Sequence, residues 1–351
     1  MSRVLITGAN GHVGANVVRA CLAAGHDVVG FVRHGSDQRG IEGLPIALSY
    51  GDIRDPKAVE AAVRGCDSVM HLAAVFNTQS KDPDIVVRPA VEGAENVLRA
   101  GAACGVSRVV YTSSVAAIGF EESPDKPRTG ADWNDKAAGA YYVAKTRSER
   151  RAWELAESLS VPMVVLNPSS VVGQYDYRVT PSTRYIVQLL NGIGITIPGG
   201  MSYVDVRDVA DAHVRALERG VPGERYPVSG ANLTFRELSR AVTGLTGVCV
   251  PHLPLPRWAI GPAIGPMEWV MRLVGQPPLV TRDEVREVLG RYVFVDTRRT
   301  CEALGMTFRP PSEFLDHTIR WIVYSRFLRA SVARRLEGRF KPDPEWTKLQ
   351  P

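Results

Sequence analysis

The stretch VLITGANGHVG, Val4 to Gly14, decides how the chain is read. Val4, Leu5 and Ile6 form a short apolar strand, glycines follow at positions 8, 11 and 14, and Val13, Val17, Val18, Cys21 and Leu22 then recur at helical spacing as far as Gly25. A glycine turn between a strand and a helix is the context in which a dinucleotide is held. Gly8 permits the tight turn, Gly11 lets backbone amides approach a pyrophosphate, and Gly14 lets the helix pack closely on the sheet. The positive end of the helix then faces the phosphates. Gly8, Asn10, Gly11, His12, Val13 and Gly14 are the first candidate cofactor residues.

Working outward, apolar strands are expected at Val28 to Val32, Ile46 to Tyr50, Ser68 to Leu72, Arg108 to Thr112 and Val161 to Leu166. Helical runs lie between them, notably Val91 to Ala103 and Tyr141 to Ser158. Such short alternation predicts an α/β fold, a Rossmann-type doubly wound parallel sheet with helices on both faces and ligand-binding loops along one edge. Beyond the last of these strands the alternation fails. Gly173 to Gly200 is rich in Tyr, Thr, Gly and Pro, and Leu253 to Gln276 is broken by Pro and Gly, so both are assigned to a smaller substrate lobe interleaved with the sheet. Tyr203-Val204-Asp205 and Tyr226-Pro227-Val228 read as strand pieces returning to the sheet or its edge. The expected division is a dinucleotide domain over 1–168 with returning segments at about 203–230, a substrate lobe over 169–202 and 231–324, and a basic extension over 325–351.

Composition agrees with a large globular chain: 351 residues, 45% hydrophobic and 23% charged, with no repeat or low-complexity tract. Met1-Ser2-Arg3 leads straight into the first strand, which argues against a secretory leader. Five cysteines, at 21, 66, 104, 249 and 301, lack metal-ligand spacing, which fits a reducing cytosol and predicts no metal. Trp258 to Val274 is apolar but too short and too interrupted to span a bilayer. The net charge of +5 is concentrated at one end, where Arg320, Arg326, Arg329, Arg334, Arg335, Arg339 and Lys341 face the single acid Glu337. Leu328, Val332, Leu336 and Phe340 recur every four positions there, predicting a helix that docks its apolar stripe on the protein itself; peripheral contact with anionic lipid is the alternative. Without interleaved stacking aromatics, the cluster does not predict nucleic-acid binding.

The end of the second strand selects the dinucleotide. An NAD site usually places an acid there, but this chain has Val32-Arg33-His34. Arg33 offers a guanidinium fork for a 2′-phosphate, with His34 and Ser36 as helpers, so NADP is expected over NAD; stacking on the adenine or pairing with a surface acid are the other roles open to it. After the third strand, Asp52 is placed to accept the adenine amino group, with Ile53 beside it.

Tyr141-Tyr142-Val143-Ala144-Lys145 holds the only Tyr-x-x-x-Lys of the chain. Residues four apart share a helix face, so this pair can reach one ligand. A free phenol titrates near about 10. A neighbouring ammonium and the positive ring of an oxidised nicotinamide are expected to lower that value into the working range, while Lys145 also holds the nicotinamide ribose. Upstream, the strand Arg108 to Tyr111 ends in Thr112, Ser113 and Ser114. Ser114 is expected to orient the substrate oxygen, leaving Thr112 and Ser113 as turn or cofactor contacts.

TGANGHVG, GDIRD, HLAA (His71 to Ala74), YTSSVAAIG (Tyr111 to Gly119), YYVAK, NPSSVVG (Asn167 to Gly173) and YVDVRDVADAH (Tyr203 to His213) together resemble the extended short-chain dehydrogenase/reductases, from Val4 to about Trp321. NPSSVVG and the Arg33 position look most like the dihydroflavonol-reductase and 3β-hydroxysteroid-dehydrogenase branch. The resemblance implies a Ser114, Tyr141, Lys145 triad. It also implies a cofactor cleft lined by Leu72, Ala73 and Ala74, backbone from Pro168 through Ser170 to Val171 holding the nicotinamide carboxamide, and a substrate lobe supported by Tyr203 to Asp208. Many relatives have Tyr-Gly where this chain has Ile118-Gly119, which weakens a sugar substrate, and the tail beyond Tyr324 exceeds the usual family length. Pairing through two helices is the family's common oligomer and implies a homodimer here.

Three functions follow. The first is an NADP-dependent carbonyl reductase, or the reverse alcohol dehydrogenase, for a mostly apolar small molecule met by Phe76, Tyr175, Tyr177, Tyr185, Met201 and Trp258 as well as Ser114. The second is a nucleotide-sugar epimerase or dehydratase with tightly held NAD, using Arg178, Arg184 and Arg207 for the phosphates. A non-catalytic dinucleotide sensor is third, and the intact Tyr/Lys pair argues against it.

Overall fold

The computed structural model describes residues 1–73, 83–192, 197–250, 262 and 289–346. Strands β1 (Arg3–Thr7), β2 (Asp27–Val32), β3 (Ala47–Tyr50), β4 (Ser68–His71), β5 (Arg108–Thr112), β6 (Met163–Pro168) and β9 (Arg225–Val228) build one sheet in the order β3-β2-β1-β4-β5-β6-β9. Every neighbouring pair is parallel. The expected doubly wound sheet is therefore present. Strand order runs outward in both directions from the β1/β4 pair, and a ligand crevice opens at such a reversal, beyond the strands' carboxyl ends.

Successive side chains of a strand point to opposite faces, which gives the sheet two apolar layers. Val4 and Ile6 face α1 (His12–Ala23) and α6 (Val206–Arg219), in a cluster with Val17, Val18, Val209 and Ala212. Leu5 faces the other way, toward α2 (Pro56–Val63), α3 (Pro83–Cys104) and α4 (Ala140–Ser158), with Val59, Val97, Leu98, Ala152 and Leu155.

At Pro168 the chain leaves this sheet and at Ser170 enters a second one. There β7 (Ser170–Val172) runs parallel to β8 (Gly200–Asp205), which also pairs with β10 (Ala231–Thr234) and β11 (Tyr292–Val293). Tyr203 to Asp205 thus lies in the smaller sheet, and only α6 and β9 return to the large one. The lobe's own core gathers Ile186 and Leu189 of α5 (Pro181–Leu190), Leu238 and Val242 of α7 (Phe235–Thr246), and Phe314 and Ile319 of α9 (Pro311–Tyr324). Part of the span 231–324 serves the dinucleotide domain instead: in α8 (Arg298–Leu304), Thr300 donates to the carbonyl of Pro227 at 2.7 Å and Leu304 joins the α1/α6 cluster.

The tail is docked. Leu328, Leu336 and Phe340 are buried in the lobe's core around α10 (Ala330–Glu337), with Val332 packed against it, so the apolar stripe faces the protein and the arginines face solvent. Trp346 is fully buried against the α1/α6 cluster. No helix among the described residues is long and apolar enough to cross a membrane.

Two histidines are buried on the large sheet. His213 of α6 donates from Nδ1 to the carbonyl of Val209 at 2.7 Å, leaving Nε2 to accept from the Thr112 hydroxyl at 2.7 Å. Burial pushes His213 down to about 4 and His71 down to about 3, the latter aided by the charge of Lys145. The unfolded chain therefore takes up protons first as pH falls below about 6.5, so stability is fully present above that value and declines as pH drops toward the folded-state values. In urea titrations His213 alone should remove roughly 2 kcal/mol between pH 6.5 and 5. His213→Gln should flatten that slope, and an identical slope in the variant would contradict the assignment.

Candidate active site

The cradle is built by backbone meeting backbone. Gly8 adopts φ +69° and lies so close to Ala73 that a Cβ would stand 3.0 Å from its Cα and N. At Gly14 a Cβ would stand 2.1 Å from the Gly8 carbonyl oxygen, so only glycine lets α1 start here. Thr7 closes the joint: its Oγ1 accepts from the amides of Leu72 and Ala73 at 3.1 Å each and pairs with His71 Nδ1 at 2.8 Å. The Gly11 amide donates to Gly8 O at 3.0 Å. The amides of His12 and Val13, in the first turn, have no intrahelical acceptor and form the positive helix end that suits a pyrophosphate. Ala74 lies outside the described residues.

Asn10 works indirectly: its amide donates to Ser36 Oγ at 3.0 Å and to the Asp37 carbonyl at 2.8 Å, holding the loop behind β2. Ser36 in turn binds the Arg33 carbonyl, from Oγ at 2.6 Å and from its amide at 3.2 Å. The Arg33 side chain is exposed and makes no ion pair among the described residues. His34 is stacked on Tyr50 with ring centroids 5.1 Å apart. Asp52 was expected to serve the adenine, but both of its oxygens are gripped by the Arg54 guanidinium, at 2.9 and 2.7 Å. That contact draws its carboxyl down to about 2. Ile53 packs on Gly93 and accepts at its carbonyl from Asn96 Nδ2 at 3.0 Å. The His12 side chain is buried with Nδ1 3.9 Å from Asp176 Oδ2, and burial lowers its pKa, which leaves its backbone amide as the group presented at the helix end.

The three hydroxyls that end β5 part company. Thr112 was expected to touch the cofactor; its hydroxyl is committed to His213, because alternation turns it toward α6. Ser113 donates to the buried carboxylate of Glu149. Ser114 is left for the cleft. It caps the 3-10 turn Val115–Ala117, accepting from the Ala116 amide at 3.2 Å, and its hydroxyl stands close enough to the Tyr141 phenol to bear on its pKa. Tyr141 lies in the first turn of α4 and Lys145 follows one turn later.

The electrostatics differ from the sequence-based expectation. Burial raises the Tyr141 phenol above its ordinary value, with the nearby Ser114 hydroxyl opposing. Burial lowers Lys145 to about 8, against the pull of Glu149 one turn further on. The cleft by itself thus favours neutral phenol over phenolate, since desolvation penalises the charged form.

Glu149 escaped the sequence reading. Fully buried, it accepts from Ser113, from Asn167 Nδ2 at 2.9 Å, from Trp153 Nε1 at 3.4 Å and from Arg225 Nε at 2.5 Å. Asn167 also donates to the Ser114 carbonyl at 3.2 Å, and Arg225 donates to the carbonyls of Gly130 and Asp132 beneath the Trp133 ring. One carboxylate therefore joins β5, β6, β9 and the Tyr/Lys helix. The available signal was its spacing, an acid four residues beyond Lys145 on the buried face.

The aromatic residues assigned to substrate divide. Tyr175 lies under Arg19, whose guanidinium is 3.8 Å from the ring centroid, and Tyr175 and Tyr177 both meet Trp321 edge-on at 5.4 and 5.2 Å. They fill the seam between α1 and α9. Tyr185 packs edge-on to Phe235 within the lobe, 5.7 Å between centroids. Met201 accepts at Sδ from Ser170 Oγ at 3.9 Å, at the join of the two sheets. Pro168 pairs with Val228 on the large sheet, and Ser170 and Val171 pair with Tyr203 and Val204 on the small one, so this short backbone run is the passage between lobes. Phe76 and Trp258 lie outside the described residues. Glu149→Ala would leave the Arg225 charge buried and unpaired, and should cost about 3–5 kcal/mol in chemical denaturation; a loss under about 1 kcal/mol would show that the hub is not structural.

Residues 4–229 match the model of the NAD dependent epimerase/dehydratase family. Among curated proteins, the chain is 30% identical over 324 residues to the "Putative dihydroflavonol 4-reductase" of Synechocystis sp., spanning 90% of this chain and 93% of that one. It is 34% identical over 270 residues to cinnamoyl-CoA reductase 1 of Arabidopsis thaliana, spanning 72% and 76%. The crystal structure of gox2253 superposes with a TM-score of 0.81 at 31% identity, covering 93% of this chain and 99% of that one. With the cradle, the doubly wound sheet and the Tyr/Lys helix in place, the chain belongs to the NAD dependent epimerase/dehydratase family, as an extended short-chain dehydrogenase/reductase and an NAD(P)-dependent oxidoreductase.

Proposed function

We propose that the chain is an NADP-dependent carbonyl reductase acting on a mostly apolar ketone or aldehyde. One observation carries this reading: the Ser114 hydroxyl, at the carboxyl edge of β5, stands close enough to the Tyr141 phenol to oppose the rise of its pKa, and Tyr141 lies one helical turn from Lys145. A bound NADPH supplies the hydride. Ser114 orients the carbonyl oxygen, Tyr141 delivers the proton to it, and the Lys145 ammonium holds the ribose hydroxyls and offsets the negative charge left on the phenol. A phenol raised by burial suits this direction, because it keeps its proton until the substrate oxygen takes it.

The reductase names of the relatives support this reading over in-place epimerisation of a sugar nucleotide, as does the state of Arg207. That guanidinium, one of three assigned to a diphosphate, is already paired with Asp205 at 2.6 Å and Glu313 at 3.6 Å. Purified protein that retains NAD through gel filtration would favour epimerisation.

With a panel of ketones and aldehydes, Tyr141→Phe should lower kcat by about 10²-fold or more, and near-normal turnover would remove Tyr141 from the chemistry. Lys145 keeps its proton below about 8 and loses it above. The kcat/KM for reduction should therefore be level below that pH and fall above it, and Lys145→Met should abolish the limb along with most activity. Arg33→Ala should weaken NADPH about tenfold or more in a binding titration and leave NADH unchanged, since only the former carries the phosphate; equal loss for both would reassign Arg33 to the adenine.

A further inference from the structure

The C-terminal segment reaches the cofactor cradle through a path of hydrogen bonds. The Trp346 indole donates to Gln174 Oε1 at 2.8 Å, and Gln174 Nε2 donates to Asn16 Oδ1 at 3.1 Å. Asn16 Nδ2 then donates to the His12 carbonyl at 2.9 Å and to the Gln174 carbonyl at 3.1 Å. This chain of amides ends in the first turn of α1, whose N-terminus faces the dinucleotide. Trp346 is clamped by the rings of Trp321 and His317, each 5.2 Å away between centroids, and its carbonyl accepts from the Tyr324 hydroxyl at 2.6 Å. The polar partners of Asn16 and Gln174 are thus supplied across three parts of the chain: α1, the passage from β7 to α5, and the tail. Each donor in a buried network depends on its neighbours, so removing the indole N–H leaves Gln174 short of a partner.

We infer that Trp346, Gln174 and Asn16 are positioning residues for the dinucleotide, and that the segment around Trp346 is a strap whose docking and cofactor binding strengthen each other. This rests on the reading of the glycine cradle as an NADPH site. Coupling of this kind is reciprocal: the factor by which the strap tightens NADPH is the factor by which NADPH holds the strap down.

Two variants test it, one ending at residue 342 and one carrying Trp346→Phe, which keeps a ring in place and removes only the N–H. Isothermal titration of each against the full chain should show the NADPH Kd raised about five- to tenfold for the shortened chain, and about two- to fivefold for Trp346→Phe. Thermal unfolding verifies that both variants are folded. Independently, trypsin cleavage in the tail, at exposed Arg334, Arg335 and Arg339, should slow in the full chain when NADPH is added, by a factor matching the change in Kd, because cutting samples the undocked population. Unchanged Kd in both folded variants, or tail cleavage indifferent to NADPH, overturns the coupling while leaving the cofactor reading intact. A full-length chain that binds neither NADPH nor NADH overturns the cofactor reading, and the coupling with it.

Discussion

Everything in the molecule hangs on a place where backbone touches backbone. Gly8 lies against Ala73, and Gly14 against the carbonyl of Gly8, at separations no side chain permits. That contact seats α1 at the reversal point between β1 and β4, and Thr7 pins the two strand ends together with one oxygen. The unsatisfied amides of the first helical turn are thereby aimed at the crevice without any charged side chain. Affinity for a pyrophosphate then comes from geometry that folding has already set, which is the economical form of preorganisation.

A second constraint aligns the chemistry with that cradle. Ser114 sits on a strand end and Tyr141 on a helix, and nothing local forces them together. Glu149 does so from behind, holding Ser113 beside Ser114, Asn167 whose amide also holds the Ser114 carbonyl, and Arg225 on the far strand. A buried carboxylate is expensive unless paired and hydrogen-bonded, and this one is both. Its cost is consistent with a role in setting the relative position of β5, β6, β9 and α4, and its charge also helps keep Lys145 protonated. The same logic extends to the lobe: Asp176, beside His12, accepts from the amide and hydroxyl of Thr180 at 2.9 and 2.6 Å, tying the glycine turn to the start of α5.

The sheet was legible because strands of a doubly wound fold are buried on both faces and read as continuous apolar runs, and because the glycine turn has one dominant structural use. The Tyr/Lys pair was legible because helical spacing places both on one face. Direction was harder to read. Thr112, Ser113 and Ser114 look alike in sequence, yet pleat alternation and a following turn send them to α6, to Glu149 and to the cleft. Tyr175 and Tyr177 were assigned to substrate from composition, but an aromatic residue buries equally well in an interdomain seam, and the partner that claims them, Trp321, lies more than a hundred residues away. Asp52 reads in sequence as a free acceptor, whereas the arginine two residues on competes for its oxygens. Periodicity did identify the tail's apolar stripe as a docking face, whereas nothing local marked Trp346 as the end of a hydrogen-bonded path to α1.

The central claim is that one crevice brings the glycine cradle, Arg33 and the Ser114, Tyr141, Lys145 group onto a single dinucleotide. A crystal structure of the full chain soaked with NADP tests it most directly. The account predicts the pyrophosphate at the first turn of α1, the 2′-phosphate on Arg33, and the reactive carbon of the nicotinamide facing the Tyr141 hydroxyl. A nucleotide bound elsewhere, or one whose nicotinamide points away from Tyr141 and Ser114, would contradict it.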